Sequence, residues 1–450
     1  MMLTERYVFL DALKCSLKGQ GTDSGKSLNQ EGWERVLLLA EEQNVTALIH
    51  NAICMNTSFR ITDRDFQQKW RKKALQSLTR QVIQEHEFLT LMKHAAEQKL
   101  RPVVLKGLIC RTLYPVPILR PSVDEDLLID PAETEEYHSF FLSEGLSFDE
   151  QGFTREERAD AVELSYHKDD SPTYIELHKF LFNPDSKAYG DLNSVFEGYQ
   201  QRLIEIKVED VTVNTLAPTD HLLFLILHAF KHFLHSGIGI RTICDIGIFA
   251  ESYCEEIDWR QVKQKLQIVN AFFYAKALLR ILQLYLLPEA GFFKKLSRTD
   301  NNSALPDERA AESFRNDSLT DGMSWNLASI DVEPLMEDIL ASGVHGASSM
   351  SRLHSSNLTL YAVENRKKGE RPANPLLHSI FLPLKDMKKR YSYLKKIPVL
   401  LPAAWMQRII HYLVENEGGD SDISGKSESL RLGKERIDLL EQYHILEKDK

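Results

Sequence analysis

The feature that most constrains this chain is a change of hydrophobic period at Arg101. Up to that point apolar residues recur at three- and four-residue spacing, as in LLLAEEQNVTALIHNAI and across 66–100, the mark of amphipathic helices with few breakers. PVVLKG then forms a short β-branched run ended by glycine, and LICRTLYP reads as a short helix closing near Pro115. A second apolar-flanked strand is predicted over 124–129, and Pro131 and Thr134 open a helix that reaches about Glu144. VELSYHK and TYIELHKFLF supply further strands. From Pro218 the helical period returns through DHLLFLILHAFKHFL, DIGIFAESY and a long segment over 259–287.

These shifts predict an α+β protein in six segments. A helical N-terminal domain covers 1–98, an α+β domain 99–215 and a helical domain 216–297. Residues 298–344 read as an acidic polar insertion without periodicity, and 345–414 as a C-terminal helical region carrying a basic segment. Over 415–450 a Gly/Ser-rich flexible tail precedes a short helix at about 430–446.

Composition excludes several classes. The 450 residues are 27% charged and contain no uninterrupted apolar run approaching the ~20 residues of a membrane span. The N-terminus lacks the basic start and cleavage site of a secretory signal, so a soluble, cytoplasmic protein is expected. Its five cysteines are scattered with no C-x-x-C pair, which fits reduced structural thiols. A net charge of −10 weighs against long nucleic acid as a partner. The charge is uneven, however: 366–396 holds ten Lys or Arg against Glu370 and Asp386. That segment suits a phosphate-bearing partner, or simply a solvated helical face.

Within the α+β segment, Asp124 and Asp126 alternate along one strand and therefore project to the same face, where they could hold one or two divalent cations. Magnesium, or manganese in its place, is the natural candidate, because it takes hard oxygen ligands and completes its shell with water and phosphate. A D-x-D alone is common by chance. Its context is more specific: the Leu105-Lys106-Gly107 turn, the helix after it, and the R-x-x-x-D-x-D strand from Arg120.

With the later E-L-H strand at Glu176, Leu177 and His178, the helix LILHAFKHFL, and CDIGIF, DILASGVHG and FLPLKDMKKRYSYLKKIPVLLPAAWMQR downstream, this arrangement resembles the nucleotidyltransferases of the DNA polymerase beta-like superfamily. It is most similar to the largely uncharacterised bacterial group known as nucleotidyltransferase family proteins, over about 30–414. The resemblance implies a polymerase beta-like core, a small mixed sheet with helices, flanked by helical domains. It also implies transfer of a nucleoside monophosphate from an NTP to a hydroxyl of an acceptor. Asp124 and Asp126 would ligate the metal, with Glu176 as the third carboxylate helping to activate the acceptor, and Glu163 as its less favoured substitute. Lys106, Gly107, Arg120 and His178 fall where the nucleotide would be bound, the helix after Gly107 aiming its N-terminal amides at the triphosphate.

Two departures stand out. Lys106 occupies a turn where the superfamily carries Gly-Gly or Gly-Ser, and Glu125 replaces an aliphatic residue beneath the sheet. A buried carboxylate without a partner would be costly, so Glu125 implies a reshaped strand or a weakened site. Arg120 admits two readings, a phosphate contact or a structural salt bridge. The acceptor is expected to be a small molecule, peptide or protein. The alternative is a catalytically degenerate nucleotide-binding or protein-interaction module of the same fold. A third reading places zinc or iron on His228 and His232 with His178 or Asp245, making a phosphohydrolase, although H-E-x-x-H is absent. His228 and His232 would otherwise pack on the sheet or line the cleft. No G-x-S-x-G, P-loop or dinucleotide fingerprint occurs.

Overall fold

The computed structural model describes residues 3–22, 26–150, 152–186, 188–235, 237–301, 324–343, 384, 387, 391, 393–407 and 424–446. The N-terminal periodicity becomes five helices, Leu3–Leu17, Gln30–Glu42, Thr46–Ile53, Thr57–Arg60 and Arg64–Glu97. Asp63 starts the last of these by accepting hydrogen bonds from the Asp65 and Phe66 amides. A turn with Lys99 at φ +65° ends that run, and the chain enters the sheet.

Among the described residues seven strands follow: β1 (Val103–Val104), β2 (Glu125–Leu128), β3 (Ser147–Phe148), β4 (Glu163–His167), β5 (Tyr174–His178), β6 (Ile204–Val208) and β7 (Val211–Thr215). Their spatial order is β3-β4-β5-β2-β1-β7-β6. β2 runs parallel to β5 and β1 parallel to β7, while the other neighbours are antiparallel. β2 therefore lies inside the sheet, with both backbone edges paired.

The returning helices are Pro218–His235, Ile240–Ser252, Trp259–Ile268 and Phe272–Ile281. The segment expected to be continuous over 259–287 is broken where Asn270 adopts φ +55°. Apolar side chains from the N-terminal helices, the sheet and these helices form one core, from Val8 to Leu446. The boundaries at 98 and 215 thus separate kinds of secondary structure within a shared core.

Within the segment expected as a polar insertion, Trp325 and Leu327 are buried, and the helix Glu333–Ser342 buries Leu335, Met336 and Ile339. Residues 302–323 of that segment lie outside the described residues, as does most of the basic segment over 366–396. The last helix, Ser424–Gln442, begins earlier than expected and is tied to the body by Arg436, which donates to the Phe233 carbonyl. All five cysteines are free thiols. Among the described residues, no helix is long and apolar enough to cross a membrane.

Candidate active site

Sheet register assembles the site. Asp126 on β2 is the direct partner of Glu176 on β5, and Glu176 in turn pairs with Ser165 on β4, where Glu163 faces His178. Paired residues share a face, so Asp126, Glu176, His178 and Glu163 project together, while Leu127, Ile175, Leu177, Leu164 and Tyr166 point into the core. His178 is the hub. Its Nε2 lies 3.0 Å from Asp126 Oδ1 and 3.6 Å from Glu176 Oε2, and its Nδ1 is 3.2 Å from Glu163 Oε2.

Asp124 sits just before β2 and lies beside this cluster. Its carboxylate, like that of Asp126, meets the ammonium of Lys106: Nζ is 3.5 Å from Asp124 Oδ2 and 3.1 Å from Asp126 Oδ2. The same Nζ donates to His228 Nε2 at 3.3 Å. Lys106 is placed by the strand before it, since the Leu105 amide donates to the Asp126 carbonyl.

The oddity at Glu125 is resolved on the opposite face. Glu125 and Arg111 are both 0% exposed, and Arg111 Nη2 donates to Glu125 Oε1 at 2.6 Å. Glu125 Oε2 accepts the Leu108 amide at 2.8 Å. The carboxylate is thus partnered, and the strand it belongs to is regular. This corrects the expectation of a reshaped strand. It also explains Gly107, because a Cβ at that position would lie 1.9 Å from Glu125 Oε2. The Leu108 amide, at the head of the helix expected to face a triphosphate, is taken by Glu125 instead.

Arg120 is a structural brace. Its guanidinium grips Asp245 through Nε at 3.2 Å and Nη2 at 2.8 Å, and its Nη1 donates to Ser122 Oγ at 3.0 Å. Ser122 Oγ donates to the Asp124 carbonyl at 2.9 Å, and its amide donates to Gln81 on the long N-terminal helix. Tyr114 adds a third hydrogen bond to Asp245. The backbone presenting Asp124 is therefore held from two sides.

A cavity beside Asp124 is lined by Lys106 and by His228, His232, Arg241 and Thr242 from the helices Pro218–His235 and Ile240–Ser252. His232 Nε2 lies 3.3 Å from His228 Nε2. Asp245 is committed to Arg120 and Tyr114, and His178 to the sheet cluster, so the zinc or iron set imagined around His228 is not assembled. Sequence reasoning missed Arg241, whose signal was faint: it stands one helical turn before Asp245. It also missed Arg111, Ser122 and Gln81, whose partners are distant in the chain.

Electrostatics follow from this packing. Burial disfavours the Lys106 ammonium, but Asp124, Asp126 and Glu176 outweigh it and raise its pKa. Burial would raise Asp126, yet Lys106 and His178 hold its carboxyl well below the usual range. For His178 burial is again overcome, by hydrogen bonds to Asp126 and Glu176, and its pKa rises to about 9. Burial, with Asp126 and Asp124 nearby, raises Glu176 against the pull of His178. Enclosure and the Lys106 charge push His228 well down, so it is neutral and can accept from Lys106.

The residues suit a divalent cation. Asp126, Glu176 and His178 each offer a ligand atom, all within 4.8 Å of one another. Asp126 is 2% exposed, with its Oδ1 turned to His178 and its Oδ2 to the Lys106 ammonium. A model for a family described as uncharacterised nucleotidyltransferase matches residues 29–286, a span that contains the whole sheet and every residue of the cluster. No curated protein matches the chain.

Proposed function

The chain belongs to the uncharacterised nucleotidyltransferase family, and on that premise we propose that it uses a divalent cation to move a nucleoside monophosphate from an NTP to an acceptor hydroxyl. The observation that carries this reading is the convergence of Asp126, Glu176 and His178 on one sheet face, with Asp124 alongside. Those three residues would hold magnesium or manganese. When bound, such an ion stabilises charge building on the phosphoryl oxygens.

The protein's own groups account for the rest. Lys106 and Arg241, on the cavity beside Asp124, are placed to neutralise phosphate oxygens. Glu176, with its raised pKa, accepts the proton as the acceptor oxygen bonds to the α-phosphorus and the bond to the departing pyrophosphate breaks. His178 lies between Asp126 and Glu163 and orients both. Arg120 acts through Ser122 as a positioning residue. The cavity is compact and walled by helices, which favours a small molecule or a short peptide or protein segment as acceptor over long nucleic acid.

A second reading, a nucleotide-binding module without turnover, is favoured by one feature: the Lys106 ammonium between the two aspartates. Incubation with each α-labelled NTP, magnesium or manganese, and lysate separated into small molecules, protein and RNA distinguishes the two. Label is expected in a small-molecule or protein fraction and should disappear with the double substitution Asp124→Ala and Asp126→Ala. Equal transfer by that double variant removes the assigned site. NTP binding without any labelled acceptor favours the binding module.

A further inference from the structure

We propose that this site is built for one divalent ion, held by Asp126, Glu176 and His178, and that the Lys106 ammonium between Asp124 and Asp126 supplies the positive charge a second ion would bring. This rests on reading the cluster as a metal-assisted transferase site.

The first support is occupancy of space. Lys106 Nζ has three neighbours, Asp124 Oδ2 at 3.5 Å, Asp126 Oδ2 at 3.1 Å and His228 Nε2 at 3.3 Å. An ion bridging the two aspartates would have to displace it. The side chain is 17% exposed, and the backbone bond from Leu105 to Asp126 fixes where it starts. Its position is therefore a property of the sheet and not of a wandering surface lysine.

The second support is charge. Asp124, Asp126, Glu176 and Glu163 bring four negative charges to the face. One divalent ion and one ammonium offset three of them. Two divalent ions together with Lys106 would leave an excess of positive charge in a partly buried setting, which is costly before any nucleotide arrives.

Donor chemistry is the third. An all-oxygen set suits magnesium, whereas an imidazole beside two carboxylates suits manganese, iron or zinc. His178 supplies that imidazole, on a strand neighbouring the D-x-D. Three protein ligands also leave positions open for water or phosphate.

Manganese alone, titrated into the metal-free full chain without nucleotide and followed by the EPR signal of free aqueous Mn2+, tests the inference. One Mn2+ per wild-type chain is expected, with magnesium competing weakly. His178→Asn should weaken binding by about 10-fold or more. Asp124→Asn should leave the stoichiometry at one and the affinity within about 3-fold, since Asp124 is outside the ligand set. Lys106→Met should admit a second ion, and Lys106→Arg should not.

Circular dichroism verifies that each variant is folded, and the Asp124→Asn arm stands even if Lys106→Met does not fold. Two ions on the wild type, or Mn2+ binding lost in Asp124→Asn and unchanged in His178→Asn, overturns the inference while leaving the transferase reading intact. That reading is judged separately by transfer of label.

Discussion

Beneath the strand that carries Asp124 and Asp126, Glu125 and Arg111 form an ion pair with no exposure to solvent, 2.6 Å apart. Removing one member of such a pair strands a charge in the interior and costs about 3–5 kcal/mol, whereas replacing both with apolar groups of similar size is often close to neutral. Glu125→Leu should fall at the upper end, because the Leu108 amide loses its acceptor as well and Arg111 is left with only Glu85, 3.9 Å away. Arg111→Met should fall at the lower end, since Glu125 keeps the Leu108 amide.

The double variant Glu125→Leu with Arg111→Met should cost about 2 kcal/mol or less, so the two changes are coupled by about 6 kcal/mol. Urea unfolding followed by far-UV circular dichroism, with slopes compared across the four proteins, gives the cycle. Additive single effects, or a cost below about 1 kcal/mol for Glu125→Leu, would refute the account of this pair as a buried, mutually dependent unit.

Three further outcomes are expected. Gly107→Ala should destabilise by about 2–3 kcal/mol, because its Cβ would fall 1.9 Å from Glu125 Oε2, and Glu125→Asp in that background should recover part of the loss by withdrawing the carboxylate. Melting temperatures of the three proteins decide it. Arg120→Met leaves Asp245 without its charge partner and Ser122 without a donor; labelled-NMP transfer should fall about 10–100-fold through kcat more than KM, as a shifted Asp124 predicts. An unchanged kcat removes Arg120 as a brace.

In metal-free protein, the His178 pKa of about 9 lies above its unfolded value of about 6.5. The imidazolium therefore contributes stability that is full below pH 6.5 and is lost as pH rises through 9, about 3 kcal/mol at most. His178→Asn should flatten that part of the unfolding-midpoint profile between pH 6 and 10. A profile as steep as the wild type's would remove His178 as its source.

Strand alternation was enough to group Asp124 with Asp126, because a period of two needs only neighbouring positions to be read, whereas Glu176 entered through the family resemblance. Alternation also identified VELSYHK and TYIELHKFLF as strands, which became β4 and β5. The β6–β7 hairpin was overlooked although IEIKVEDVTVNT alternates, its Glu209 taking a positive φ where no glycine marks the turn. The break inside 259–287 was hidden for a similar reason: Asn270 ends a helix without interrupting the apolar period around it.

What the sequence could not convey were partnerships between distant residues. Glu125 looked like a defect because Arg111 is fourteen residues away, on an element whose orientation only the fold defines. The setting of Lys106 was hidden for the same reason, since its neighbour His228 is 122 residues further on. Both departures are explained by one local geometry. Leu105, just past β1, delivers Lys106 to the Asp face, and the following Gly107 lets the helix pass over Glu125 on the other. The Lys-Gly pair therefore serves the two faces of β2 at once. Substituting Lys106 should alter ion binding, whereas substituting Gly107 should act through the packing of the helix on Glu125.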